Sequence, residues 1–300
     1  MKAKRSTAIN VCTSDKIFYT VVNVIMSLVL LIVLIPMLNV VASSFSSGKA
    51  VSEGLVTIWP VDFSLDGYIE VFKNQKILIG YGNTIFYTVF GTLLNVVMTV
   101  LCAYPLSRSD MPGRGFFMFL YSFTMLFGGG MIPNFILMKD LNILNTRWVL
   151  IIPGAVGVYN MIITRTNFQQ LPKELLEAAK IDGCSDFRFF ATIAIPLSKA
   201  ILAVITLFYA VGHWNVYFAA KIYLYDETKM PLQIFLQQIL LANKLTSGAD
   251  VDPEAAAKLS TMADLLKYSL IIVASLPVWC IYPFIQKYFV QGVMIGSIKG

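Results

Sequence analysis

The residues of this sequence that are best suited to specific contacts lie in a polar segment, 171–196, between two long apolar runs. Its acidic side chains can pair with a basic partner, and its small side chains let a partner approach the backbone closely. The chain has one His, so no clustered acid, base and nucleophile is predicted, and the chemistry indicated is recognition rather than bond making. The candidate contact residues are Glu177, Ala178, Ala179, Asp182, Gly183 and Pro196.

Local patterning predicts that this segment folds as two helices joined at a glycine, and it is termed the elbow below. Pro172 fits the first position of a helix, where its missing N–H costs nothing. Good helix formers follow, and Gly183 suits a left-handed residue just past the helix end. Ser185 is placed to N-cap a second short helix, and Pro196 is placed to open the next membrane span.

Structural roles compete with contact roles at these positions. Glu177 can pair within its own helix with Lys173 or Lys180, which is worth only about 0.2–0.5 kcal/mol. The two alanines can fill an ordinary helix contact, and Asp182 can cap its helix instead of meeting a partner. We predict contact with a basic residue of a partner protein for Glu177. For Gly183 we predict a conformational requirement, because a side chain in a left-handed residue costs about 1–2 kcal/mol.

Composition places the rest of the chain in a membrane. Apolar residues make up 57% of the 300 residues and charged residues 13%, with a mean hydropathy of +0.71. Apolar runs longer than about 18 residues indicate transmembrane helices. The prediction is an all-α, polytopic protein with an N-terminal segment at 1–17, a six-helix transmembrane domain at 18–290 and a tail at 291–300. The predicted spans are 18–42, 81–106, 116–138, 148–164, 200–220 and 265–290, with a surface helix near 68–72.

Several features inside the predicted spans are candidates for a substrate path. Three glycines, 128–130, interrupt the third span, and irregular backbone at membrane depth needs partners from protein or from a water-filled cavity. Close packing against a neighbouring helix is the alternative. The substrate-path candidates are Gly129, Gly130, His213, Trp214 and Asn215, although a Trp at this depth is also a common interface anchor. Asn23, Asn39, Asn95 and Asn160 are expected to join helices by hydrogen bonds worth about 0.6 kcal/mol each.

The residue inventory argues against several other classes of protein. The four cysteines show no paired spacing, so neither a disulfide nor a structural metal site is predicted. No phosphate-binding loop of the GxxxxGK[ST] kind is present, so no ATPase activity is expected of this chain. No Asp or Glu lies inside the six predicted spans, which argues against an ion-coupled secondary transporter. The basic residues cluster at membrane boundaries, so no nucleic-acid partner is expected.

Charge asymmetry predicts the orientation of the chain. The N-terminal segment, the turn 107–114, the elbow region with Arg165 and the tail with Lys287 carry 13 basic and 6 acidic residues. The opposite side carries 9 basic and 11 acidic residues, and Lys267 at the outer end of the sixth span is the remaining basic residue. The positive-inside rule therefore places both termini and the elbow in the cytoplasm.

The spacing of the elbow resembles a known family. Together, Glu177, Ala178, Ala179, Gly183, Ile193, Ile195 and Pro196 resemble the EAA loop, here 166–199, of permease subunits of binding-protein-dependent ABC importers. Cys184 and Ala200 depart mildly from the usual pattern, as does Ile195 where Leu is usual. The runs at 129–133 and 207–215, the Pro-Leu-Gln stretch at 231–233 and the tail resemble maltose-transporter-type carbohydrate permeases, and among them the polysaccharide and multiple-sugar branch.

The resemblance implies the MetI-like permease fold and a transport subunit that is not an enzyme. The expected partners are a second, similar permease, two ATPase subunits, an extracytoplasmic solute-binding protein and membrane lipid. ATP and Mg²⁺ would be held by the ATPase subunits, so no cofactor is expected on this chain. The elbow would sit in a groove of the ATPase and carry its movement to the spans. The expected cargo is a carbohydrate, an oligosaccharide or polysaccharide fragment, crossing the plasma or inner membrane of a prokaryote; peptides or amino acids are the alternative.

Overall fold

Helices make up the regular structure of the described chain, because a segment in lipid must satisfy its backbone hydrogen bonds internally. The computed structural model describes residues 13–245 and 253–297, and within them the one strand-like feature is an isolated bridge between Ser46 and Phe63. The predicted all-α fold is confirmed. Contacts divide the chain into two compact units, 1–71 with 242–272 and 72–241 with 273–300.

The described helices follow one another in a simple chain order, with short irregular turns between them. They are α1 (Thr13–Ser44), α2 (Gly48–Ser52), α3 (Asp66–Lys73), α4 (Gln75–Ser107), α5 (Arg114–Leu126), α6 (Met131–Asp140), α7 (Val158–Gln169), α8 (Lys173–Ile181), α9 (Asp186–Phe189), α10 (Ile195–Leu197), α11 (Lys199–Trp214), α12 (Phe218–Tyr223), α13 (Leu232–Leu245) and α14 (Pro253–Ser297). A π-helical turn, Phe190–Ala194, joins α9 to α10, and 3₁₀ helices occupy Arg147–Leu150 and Glu227–Lys229.

Three helices of the described chain are long and apolar enough to cross a membrane: α1, α4 and the Thr261–Pro283 part of α14. Two bent helix pairs, α5 with α6 and α9–α10 with α11, raise this number to five if each pair is one span. Predicted spans one, two, three, five and six correspond to these helices. The predicted tail, 291–300, begins inside α14, and residues 298–300 and 1–12 lie outside the described residues.

The predicted fourth span at 148–164, which contains Pro153 and Gly154, is not a single helix in the structure. A 3₁₀ helix ends at Leu150, turns that contain Pro153 follow, and α7 begins only at Val158. A proline supplies no backbone donor and disfavours helical conformation in the residue before it. The apolar composition therefore continues without a continuous helix, and the freed backbone groups take their partners from other helices.

The fifth span begins and ends at residues other than the predicted 200–220. Pro196 does not open it: Pro196 lies in α10, and the chain bends by 80° before α11 begins at Lys199. The bend occurs because Ser198, with φ −97° and ψ 16°, leaves the helical conformation. The helix then ends at Trp214, and α12 is a separate short helix.

The glycine interruption predicted in the third span is present. α5 ends at Leu126 and α6 begins at Met131, with their axes at 115°. Gly128 and Gly129 are exposed, and no atom of the described chain lies within 4 Å of the position that a Cβ would take at either residue. Close packing against a neighbouring helix of this chain, the alternative explanation for these glycines, is therefore not what the described residues show.

α4 is the helix around which the second unit packs. Asn74 caps its beginning. Asn83 and Tyr87, about two and a half and three and a half turns further along, donate hydrogen bonds to the carbonyl groups of Thr228 and Lys229 at 2.8 and 2.6 Å. α7 and α11 lie along the second half of the same helix. The core there is formed by Val100, Ala103, Leu106, Met161, Phe168, Ile205 and Tyr209.

Candidate functional site

The predicted helix–glycine–helix elbow is present. α8 begins at Lys173, so Pro172, whose ψ of 131° is extended, precedes the helix by one residue instead of occupying its first position. Gly183 has a φ of +72°, as predicted for a left-handed residue. Ser185 caps α9 by accepting a hydrogen bond from the backbone N–H of Arg188 at 3.3 Å, also as predicted.

The elbow has one buried face and one exposed face. Ala179 is buried in the same core cluster as Phe189, so its role is packing within the chain. Ala178 beside it is exposed. On the exposed face, Ile181 and Phe187 are 87% and 74% exposed. Large apolar side chains exposed in an otherwise polar loop are typical of a protein contact surface.

The two acidic candidates of the elbow lie on its exposed part. Glu177 forms no ion pair with Lys173, with Lys180 or with any other residue that the structure describes, so the predicted intrahelical pair is not formed there. Asp182 occupies the position after the last residue of α8, and its backbone N–H donates to the carbonyl group of Ala178 at 3.1 Å. Both carboxylates face solvent, where a partner can reach them.

Arg108, at the end of α4, ties that helix to the elbow. Its guanidinium donates to both carboxylate oxygens of Asp110, from Nε at 3.0 Å and from Nη2 at 2.8 Å. The same Nη2 lies 3.6 Å from Oδ1 of Asp186, in the first turn of α9. The hydrogen bond from Arg108 lowers the pKa of Asp110 to about 2, and Asp110 in turn raises the pKa of Arg108. Both groups are therefore charged at neutral pH.

Aromatic packing continues this junction. The ring of Tyr104 lies with its centroid 4.7 Å from that of Phe190 and 5.6 Å from that of Phe168. Nε of Arg165 donates at 2.8 Å to the carbonyl group of Leu106, one of the acceptors that the end of α4 leaves free. A cavity of about 290 Å³ lies between the turn 107–110 and α8. Arg108, Asp186, Tyr104 and Phe190 are termed the elbow anchor below.

A polar network supports the irregular backbone that replaces the fourth predicted span. The amide of Asn95 donates to the carbonyl group of Gly154, and its Oδ1 accepts from Nε2 of His213 at 2.6 Å. The hydroxyl of Tyr209 accepts from the backbone N–H of Gly157 at 2.9 Å. Asn95 is thus a helix-joining residue, as predicted, and the substrate-path candidate His213 forms part of this network.

Two more substrate-path candidates sit in different surroundings. Trp214 is 6% exposed, and its indole N–H donates to the carbonyl group of Ala274 at 2.9 Å while its ring meets that of Tyr81 edge to face. This is a packing position within the described chain. Asn215 is exposed, and its Oδ1 accepts from Gln233 at 3.4 Å. Any contact of these residues, or of Gly129 and Gly130, with substrate remains a prediction.

Comparison with known proteins decides the family. Residues 95–295 match the family described as binding-protein-dependent transport system inner membrane component, and this stretch contains the whole elbow. The chain belongs to this permease family. The permease is 42% identical to protein LplC of Bacillus subtilis (strain 168) over 275 residues, 90% of each chain. It is also 42% identical to the polygalacturonan/rhamnogalacturonan transport system permease protein YtcP of the same organism over 271 residues, covering 90% of this chain and 94% of that protein.

A solved structure is also similar to the permease. It is a chain of a bacterial ABC transporter involved in the import of the acidic polysaccharide alginate. The TM-score is 0.83 at 37% sequence identity, over 93% of the permease and 98% of that chain. The predicted MetI-like permease fold is confirmed, and the permease is a multi-pass transport subunit of the inner membrane, not an enzyme.

The elbow anchor was missed by the sequence reasoning. Arg108 lies in the turn 107–114, which the sequence reasoning used only for its charge, so the residue was assigned no role. One signal was available: a basic residue after a membrane span with acidic residues at 110 and 186 beyond it. Which of these carboxylates it meets depends on the fold of the elbow, and spacing along the chain does not give that fold.

Proposed function

We propose that this permease carries a carbohydrate, a polysaccharide fragment or oligosaccharide, through the membrane as part of an ATP-driven importer. Support for the cargo comes from the relative YtcP, named for polygalacturonan and rhamnogalacturonan, and from the similar chain of a transporter that imports alginate. A permease for peptides or amino acids is the second candidate, since the elbow by itself is indifferent to the cargo.

The observation that carries the transport mechanism is the two-faced elbow. Its exposed face offers Glu177, Ile181 and Phe187 to a protein partner, and its buried face packs on the end of α4. An ATPase subunit that binds the exposed face would move the elbow as a rigid body. The elbow anchor would then transmit this movement to α4. Glu177 is proposed to pair with a basic residue of that subunit.

The proposed assembly contains this permease, a second similar permease, two ATPase subunits and an extracytoplasmic solute-binding protein. ATP and Mg²⁺ belong to the ATPase subunits in this proposal, and this chain binds no cofactor. The excess of basic residues over the N-terminal segment, the turn 107–114, the elbow region and the tail, taken together, supports a cytoplasmic position for the elbow and both termini.

The test is transport by the reconstituted complex. The assembled importer is placed in proteoliposomes with ATP inside the compartment that the ATPases face, and the binding protein is loaded with one candidate cargo at a time. Fragments of polygalacturonan, neutral oligosaccharides of equal length and a mixture of short peptides are compared. ATP-dependent uptake of a carbohydrate pool with no uptake of peptides is expected.

Uptake of peptides alone would replace the proposed cargo while keeping the ATP-driven mechanism. Uptake that continues without ATP and stops when an ion gradient is collapsed would reject the mechanism itself. Glu177→Lys, which reverses the exposed charge of the elbow, is expected to reduce co-purification of the ATPase subunits while the permease still inserts in the membrane.

A further inference from the structure

Residues 55–60, in the first unit, pack against the end of α1. The amide of Asn39 donates at 2.9 Å to the carbonyl groups of both Val56 and Thr57. Val56 is buried with Ala42 in a small apolar cluster. Just beyond the segment, the backbone N–H of residue 61 donates to the hydroxyl of Ser46 at 3.0 Å. The segment therefore lies level with Asn39 and has little freedom to move away.

The position of Asn39 relative to a bilayer follows from α1 itself. The large apolar side chains of α1 are all exposed from Ile17 to Leu38. At about 1.5 Å per residue, this stretch rises about 33 Å, close to the hydrocarbon thickness of about 30 Å. Lys16 precedes the stretch and Asn39 follows it. Asn39, and with it the 55–60 segment, thus marks the edge of the hydrocarbon region.

The segment turns apolar side chains outward at this level. Trp59 is 78% exposed, and Leu55 and Ile58 are also exposed, while Val56 between them points into the cluster. The indole N–H of Trp59 has no hydrogen-bond partner among the residues that the structure describes. Indole rings favour the boundary between hydrocarbon and headgroups, where the ring meets acyl chains and the N–H meets polar groups.

We propose that residues 55–60 anchor the chain at the membrane interface, with the side chains of Leu55, Ile58 and Trp59 inserted at the headgroup–acyl boundary of the bilayer. Lipid is the occupant because the three side chains continue the exposed apolar surface of α1 at the level where that surface ends. Glu53 and Asp62 flank the segment and are exposed, so the apolar surface is bounded by charge on both sides along the chain. This insertion would fix the depth of the first unit in the bilayer, and it does not depend on contact with the ATPase.

The proposal is tested by spin labelling in the assembled importer in nanodiscs, in a background without the native cysteines. A nitroxide is placed at Trp59→Cys and, as a matched control on the neighbouring polar turn, at Glu53→Cys. Relaxation by oxygen, which concentrates in lipid, is compared with relaxation by a water-soluble nickel chelate. Oxygen is expected to dominate at position 59 and the chelate at position 53.

A second measurement avoids replacing Trp59 by a label. Wild type and Trp59→Phe are compared in vesicles of a phosphatidylcholine and of its brominated form. The emission that Trp59→Phe removes is expected to be quenched at least twofold by the brominated lipid. In the spin-label experiment, equal chelate access at positions 59 and 53 would place the segment in water. Exclusion of both oxygen and chelate from position 59 would mean that a protein partner covers it. Either result overturns the proposed insertion in the membrane interface.

Discussion

Arg108 and Asp186 face each other across the junction of α4 and the elbow, with 3.6 Å between Nη2 and Oδ1. Asp110, the other carboxylate on this guanidinium, lies in the same turn as Arg108, whereas Asp186 belongs to the elbow. Of the ion pairs that the structure describes, this one alone joins α4 to the elbow. The pair is thus a direct electrostatic link between the elbow and the end of α4.

Removing the charge of Asp186 should weaken coupling more than removing that of Asp110. Asp186→Asn is expected to lower the ratio of substrate imported to ATP hydrolysed by about 1.4-fold to fivefold, because a partly exposed ion pair is worth about 0.2–1 kcal/mol. Asp110→Asn is the matched control, since it removes a carboxylate from the same guanidinium without touching the elbow. Equal ratios in the two variants would contradict a transmitting role for the Arg108–Asp186 pair.

The stabilising effect of Asp110 should depend on pH in a defined window. Arg108 lowers the pKa of Asp110 from 3.8 to about 2. A depressed carboxylate pKa stabilises the folded state above the unfolded pKa, and the contribution is lost as pH falls through the folded pKa. The difference in Tm between wild type and Asp110→Asn in detergent should thus stay constant above about pH 4 and fall away toward about pH 2. A difference that changes between neutral pH and about pH 5 would point to another titrating group.

Gly183 should be required for its conformation and not for space. Its φ is +72°, and no described atom lies within 4 Å of the position that a Cβ would take. Gly183→Ala is expected to disfavour the elbow by about 1–2 kcal/mol and to reduce uptake, whereas Gly183→Asn should do less harm because Asn visits this conformation more readily. Ala178→Ser, which adds one polar atom at an exposed site, should leave uptake near normal. Full uptake with Gly183→Ala would show that the segment is an ordinary loop.

Gly91 should be required for space. A Cβ at this residue would clash with the ring of His213, so the ring must shift from the position in which it hydrogen-bonds Asn95. Gly91→Ala is expected to destabilise the permease by about 1–3 kcal/mol, measured by thermal unfolding in detergent. Gly82→Ala on the same helix, where nothing lies within 4 Å, is the control. Unfolding temperatures that match for the two variants would contradict the close contact.

The orientation remains to be measured by cysteine labelling. In a cysteine-free background, Ser109→Cys should be protected from an impermeant thiol reagent in intact cells, and Lys139→Cys should react with it, because the positive-inside rule places position 109 in the cytoplasm. Both residues are exposed on the protein surface. Reaction at 109 with protection at 139 would invert the topology and separate the elbow from a cytoplasmic ATPase.

The elbow could be predicted from sequence because its determinants are local. A left-handed glycine and a serine cap act within a few residues of where they stand, so Gly183 and Ser185 were found correctly. The prediction that Pro196 opens the fifth span was wrong because a proline early in a helix has the same local pattern whether a membrane span or a short helix such as α10 follows. The bend at Ser198 depends on the packing of the whole elbow, which rules based on neighbouring residues do not describe.

The irregular backbone within the fourth predicted span was missed for a related reason. Hydropathy registers where a segment lies and not whether its backbone is helical, so 148–164 resembled a span. What makes its irregular backbone possible is Asn95, more than fifty residues earlier, and Tyr209, more than fifty residues later. Asn95 could be picked out as a buried polar residue in a span, but its partner at Gly154 could not.

The backbone at 151–157 also limits how the chain can be recombined with its relatives. Its hydrogen bonds are completed by side chains on α4 and α11, so a graft of this stretch alone would arrive without its donors and acceptors. In a chimera of two permeases, the smallest block that carries its own polar partners runs from Asn95 to His213. Hybrids joined inside that block should lose yield unless both parents hold the same residues at 95 and 209.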